Sequence, residues 1–164
     1  MLKLLQDFFA ELTGEGKPQD RFADNDYRLA AAALLIHVTA VDGKVTEAEQ
    51  GTLFRLLKNT FNLDDDSTRE LIDAATLRDR DAVDMYTFTS LLNRALDEDG
   101  RRRIVAMMWE IIYADGKVNE FEDNVVWRVA DLLGISSRDR IELRRQVAAQ
   151  HDSGGQDGEG AGSQ

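Results

Sequence analysis

Two short stretches of the chain carry matched carboxylates. Residues 42–49 read Asp-Gly-Lys-Val-Thr-Glu-Ala-Glu, and residues 115–122 read Asp-Gly-Lys-Val-Asn-Glu-Phe-Glu. Asp42 with Glu49, and Asp115 with Glu122, are each separated by seven residues across an Asp-Gly turn. Carboxylate oxygens are what hard cations such as Ca²⁺, Mg²⁺ or Mn²⁺ take as ligands. Asp42, Glu49, Asp115 and Glu122 are therefore the metal candidates, for a divalent cation held weakly. The stretches are not EF-hands. Counted from Asp42, the third, fifth and twelfth positions are Lys44, Thr46 and Leu53; counted from Asp115 they are Lys117, Asn119 and Val126. The oxygen pattern and the closing bidentate glutamate of that loop are missing from both.

Capping accounts for much of the same residues without a ligand. Gly43 and Gly116 suit the left-handed end of a helix. Thr46 with Glu49 has the spacing of a capping box, and Asn119 with Glu122 does the same work. Glu47 and Glu120 fall in a first helical turn, where the dipole favours negative charge. Val45 and Val118 are placed to fill apolar space between helices. Asp42 and Asp115 fit less well, since each faces the negative end of the preceding helix. Lys44 and Lys117 can offset them.

The likeness between the two stretches extends outward. Leu34, Leu35 and Val38 align with Met107, Met108 and Ile111, and Leu53, Phe54, Arg55 and Leu56 with Val126, Trp127, Arg128 and Val129. This reads as an internal helix–turn–helix duplication with pseudo-twofold symmetry. Hydrophobic spacing places helices over residues 2–13, 26–41, 47–60, from Ser67 to Leu77, 82–97, 101–114, 120–133 and from Ser136 or Ser137 to Ala149. Residues 26–41 are apolar nearly all round and should be central, and 101–114 form the second central helix, with Ile104, Val105, Met107, Met108, Ile111 and Ile112. Ser67 with Glu70 reads as a capping box and Asp81 as a cap for the following helix, with Arg78–Arg80 as the turn between. Met85, Phe88, Leu91, Leu92 and Leu96 form the buried stripe of that helix, and Gly100 breaks the chain after it. No segment alternates like a strand. The expected fold is all-α, a compact bundle of seven to eight helices. Residues 1–23 form an N-terminal helix and loop, 24–149 the helical domain, and 150–164 a Gly- and Ser-rich tail too polar to offset its ordering entropy.

Composition narrows the function classes. The chain has 164 residues, 43% of them hydrophobic, enough for one core. There is no cysteine, which excludes a disulfide scaffold and thiolate metal sites and fits a cytoplasmic protein. The net charge is −11, and removing the tail's Asp152, Asp157 and Glu159 leaves −8. An acidic body repels phosphate backbones, and the Arg101–Arg103 run follows Asp97, Glu98 and Asp99, so nucleic acid is not the expected partner. Charges interrupt the apolar positions of residues 1–13, so no signal peptide or spanning segment is read there. Leu2, Leu5, Phe8, Phe9 and Leu12 instead make a stripe suited to the chain's own body, a protein partner or a membrane surface. His37, whose repeat counterpart is Glu110, reads as half of a polar pair, with a second reading in which the two face each other near the acidic turns. His151 falls in the tail, so zinc is not expected. Trp109 and Trp127 sit on apolar stripes and read as core. Neither a nucleophile elbow nor a P-loop is present.

Taken together, Tyr113-Ala114-Asp115-Gly116 with Glu122, and its duplicate Ala40-Val41-Asp42-Gly43 with Glu49, resemble the TerB-like (tellurite resistance B) family over roughly residues 24–148. The resemblance implies a compact all-α domain related to the membrane-proximal part of certain DnaJ-like co-chaperones, although nothing in the chain resembles a J-domain. It also implies an acidic, metal-associated centre, carried over to Asp42, Glu49, Asp115 and Glu122, and a stress or tellurite-resistance context. The functional expectation is a non-enzymatic, cytoplasmic helical module that binds a divalent cation or a protein partner. A metal-free interaction scaffold is the alternative. A metal-dependent hydrolase is disfavoured, because no general base or nucleophile stands beside the carboxylates, and no catalytic residue is assigned.

Overall fold

The computed structural model describes residues 22–23, 25–41, 43, 45–116 and 118–156, with the side chains of Asp115 and of residues 153–156 excepted. The expected helix over residues 2–13 and the chain beyond Gln156 lie outside them. Among the described residues there are seven α-helices and no strand: α1 (Tyr27–Ala40), α2 (Glu47–Thr60), α3 (Asp65–Asp81), α4 (Tyr86–Ala95), α5 (Glu98–Ile112), α6 (Glu120–Leu132) and α7 (Ser137–Gln156). A short 3₁₀ turn, Tyr113–Asp115, follows α5.

The two helices richest in buried apolar residues occupy the centre. Leu29 to Ile36, Val38 and Thr39 of α1 are all buried. On α5, Ile104, Val105, Met107, Met108, Trp109, Ile111 and Ile112 are buried. α1 packs on α5, and the helices after the two turns pack crosswise: α2 lies against α5, and α6 against α1. α1 makes its most extensive contact with α3, whose Leu71, Ala74 and Ala75 face it through a narrow apolar stripe. α7 covers α5 and α6 on the other side, with Val147 buried.

Helix ends differ from the sequence reading where two polar residues competed for the cap. Asp64, not Ser67, caps α3, its carboxylate accepting from the Ser67 N–H at 2.7 Å. The helix thus starts with Asp65 and Asp66 in its first turn, where the dipole favours them. It then continues through Arg78–Arg80 to Asp81, which is its last residue rather than a cap for α4. Residues 82–85 form the connection, in which Asp84 Oδ1 accepts from the Tyr86 N–H at 2.9 Å, and α4 begins only at Tyr86. Asp97 caps α5 through the Gly100 N–H at 2.8 Å, which draws Gly100 into the first turn instead of leaving it as a break. α7 runs on to Gln156, past Ala149 and into the expected tail.

Candidate functional site

Each turn is closed by a left-handed glycine. Gly43 has φ 74° and its N–H donates to the Ala40 carbonyl at 3.0 Å; Gly116 has φ 78° and donates to the Tyr113 carbonyl at 2.9 Å. The next helix is then capped from its side chain. Thr46 Oγ1 accepts from the Glu49 N–H at 3.1 Å, and Asn119 Oδ1 accepts from the Glu122 N–H at 2.8 Å. Asn119 Nδ2 also donates to Glu122 Oε1 at 3.0 Å.

Glu49 and Glu122 are each 3% exposed, and among the described residues they are the only buried ionisable side chains. Every other described acid and base reaches water, as expected from the cost of burying a charge. Two glutamates escape that rule, and both stand at the position picked out by the sequence pattern. The third residue of a helix is where the dipole and the free N–H groups lower that cost. Asp115 lies in the 3₁₀ turn, which packs against both α2 and α7, so the second turn touches the helix that Glu49 opens. Asp42 lies outside the described residues. Among the described residues no group of three or more His, Cys, Asp or Glu side chains is gathered closely enough to hold a metal ion. In donor type the buried glutamates fit a hard cation, each offering a carboxylate at a shielded position.

The second turn carries a brace that the sequence reading missed. Arg144 Nε of α7 donates to the Tyr113 hydroxyl at 3.0 Å, and its Nη1 donates to Asp123 Oδ1 at 2.9 Å. Its guanidinium lies 5.0 Å from the Trp109 ring centroid. The hydrogen bond to Tyr113 holds the Arg144 pKa above its usual value despite partial burial. Tyr113 also stacks obliquely on Trp109 and on His151, with centroids at 6.3 and 6.1 Å. The residue corresponding to Tyr113 in the first stretch is Ala40, which has neither the hydroxyl nor the ring for such an anchor. The mismatch of tyrosine and alanine was the available signal.

Three expectations about individual side chains are corrected. His37 is half of a polar pair, as first read, but the second reading fails: its Nδ1 lies 2.8 Å from Asp79 Oδ1, on the last turn of α3, and not against Glu110. Trp127 is 49% exposed rather than core, because α6 turns Val125, Val126 and Val129 inward instead. Val45 is 40% exposed and fills no gap, whereas Val118 packs against the core.

No described helix is long and apolar enough to cross a membrane. The family model described as tellurite resistance protein TerB matches residues 28–145, from the start of α1 to the middle of α7. No curated protein and no solved structure matches the chain.

Proposed function

The chain belongs to the TerB family, and from that premise we propose that it is a non-enzymatic helical module, acting in the cytoplasm, whose two acidic turns hold a divalent cation weakly in a tellurite-resistance or stress context. The observation that carries this reading is the burial of Glu49 and Glu122, matched in position and in exposure. We read the two units as a duplication, on the support of their paired caps, paired glycines and crosswise packing. Asp42 and Asp115 would complete the ligand sets, and the cation would supply charge compensation for carboxylates withdrawn from water.

A metal-free interaction scaffold is the second reading. It is favoured by the capping already described, which engages the N–H and Oε1 of Glu122, and by exposed Phe121 and Trp127 on α6, at 67% and 49%, as surface for a protein partner.

The two readings separate in a thermal melt of metal-stripped protein with and without millimolar Ca²⁺, Mg²⁺ or Mn²⁺, run beside an Asp42→Asn/Asp115→Asn double variant. A ligand that binds only the native state stabilises it by RT ln(1 + [L]/Kd), about 1.4 kcal/mol at ten times Kd. A cation-specific rise in the wild type that the variant loses supports the cation module. No rise, with a variant at least as stable as wild type, overturns it and leaves the scaffold.

A further inference from the structure

A cleft lies away from the residues assigned to the acidic turns. The last turn of α3, the 82–85 connection and the start of α4 form one wall of a cleft of about 400 Å³, which α1 and α6 close with His37, Arg128 and Leu132. That volume falls within the range of small-molecule sites, roughly 300–1,000 Å³, which pair an apolar lining with a few polar groups. Met85 and Phe88 supply buried apolar surface, Leu132 is half-buried, and Tyr86 stands 64% exposed at the edge.

The charges of the cleft are unequally engaged. Asp79 is held by His37 at 2.8 Å. Asp84 is held by the backbone N–H of Tyr86 at 2.9 Å. Arg128, exposed on α6, makes no ion pair and no hydrogen bond with any described side chain. An arginine presents a planar fork that matches a carboxylate in two parallel hydrogen bonds. A doubly charged phosphate would meet Asp79 and Asp84 with too much negative charge; a single carboxylate matches the single unengaged cation.

We propose that this cleft binds a small organic carboxylate with an apolar body, the carboxylate on Arg128 and the body against Met85, Phe88 and Leu132. The site is independent of the acidic turns and of any cation they hold. A ¹⁵N–¹H NMR titration of the full chain with octanoate and with 3-phenylpropionate tests it, with octylamine as the charge-reversed control. The expected result is saturable shifts confined to residues 37, 79, 82–88, 128 and 132, half-complete at or below about 1 mM. Arg128→Gln, at an exposed position that leaves the core untouched, should weaken binding about tenfold, which corresponds to about 1.4 kcal/mol. Tyr86→Ala should weaken it less. Absence of saturable shifts at 10 mM, shifts centred elsewhere, an Arg128→Gln variant that binds as well as wild type, or equal binding of octylamine would each overturn the proposal.

Discussion

Arg144 Nε donates to the Tyr113 hydroxyl at 3.0 Å, joining the middle of α7 to the 3₁₀ turn that ends at Asp115. The same guanidinium reaches Asp123 at 2.9 Å and lies over Trp109, so one side chain ties together α5, the 3₁₀ turn, α6 and α7. Arg144→Ala removes all three contacts. The Asp123 pair is well exposed on both sides, at 40% and 38%, and belongs at the low end of ion-pair contributions. With the hydrogen bond and the ring contact, the expected loss is about 1–3 kcal/mol in urea unfolding. Arg144→Lys should recover little of it, because an ammonium cannot serve two acceptors in a fork and lie flat on a ring. A fully restored lysine variant would mean that charge alone holds the turn.

The two caps look alike in sequence but should respond differently to aspartate. Thr46→Ala and Asn119→Ala each remove an N-cap acceptor and should cost about 0.5–2 kcal/mol. Aspartate is ordinarily as good a cap as threonine or asparagine, so Thr46→Asp should be mild. At the second turn the asparagine amide donates to Glu122 Oε1 at 3.0 Å, and Asn119→Asp replaces that donor with a second carboxylate. Asn119→Asp should therefore cost more than Asn119→Ala at neutral pH, and the excess should shrink as the pH falls and the pair takes up a proton. Equal behaviour of the two aspartate variants would show that Glu122 does not depend on the amide.

What could be read in the sequence follows from how many residues each feature needs. The central helices needed only composition, since Ala30–Ile36 is apolar on every face and Ile104–Ile112 is apolar apart from Glu110. The buried glutamates were found because two copies of one pattern singled them out. Features that depend on one long-range contact were not legible. Asp79 looked like part of a charged turn, yet it closes α3 by reaching His37, 42 residues earlier. Arg144 was one arginine among several on α7, and only the packing of that helix on α5 gives it Tyr113, Asp123 and Trp109. Helix starts slipped where Asp64 and Asp97 cap earlier than the expected starts at Ser67 and after Gly100, each accepting from the N–H three residues on.

Gly43 and Gly116 isolate the cost of backbone conformation. Both have φ in the left-handed region, and an added Cβ would meet nothing within 4 Å at either position. Gly116→Ala should therefore lose only the conformational term, about 1–2 kcal/mol. Gly116→Asn should lose less, because asparagine tolerates that region. The same pair at Gly43 should give the same order. If the alanine variants are instead neutral, the turns can close without a left-handed residue, and the glycines do not set the approach of Asp115 and its neighbours to the following helix.

Acid sensitivity should show the sign of the Asp65–Lys58 pair. Lys58 Nζ lies 2.7 Å from Asp65 Oδ1, and that hydrogen bond, with the ammonium charge, holds the Asp65 carboxyl below its usual pKa. A carboxylate whose pKa is depressed by folding stabilises the native state above its unfolded value, about 3.9, and that contribution is lost as the pH falls through the folded value. The pair is open to water, so its effect on stability is small, and the clearer readout is the titration itself. In a ¹³C NMR titration the Asp65 carboxyl should show its midpoint below the ordinary aspartate range. Lys58→Gln should raise that midpoint, and high salt should raise it partway, since screening weakens an exposed pair. A midpoint that Lys58→Gln leaves unchanged would assign the shift to the helix dipole at the start of α3, where Asp65 is the first residue.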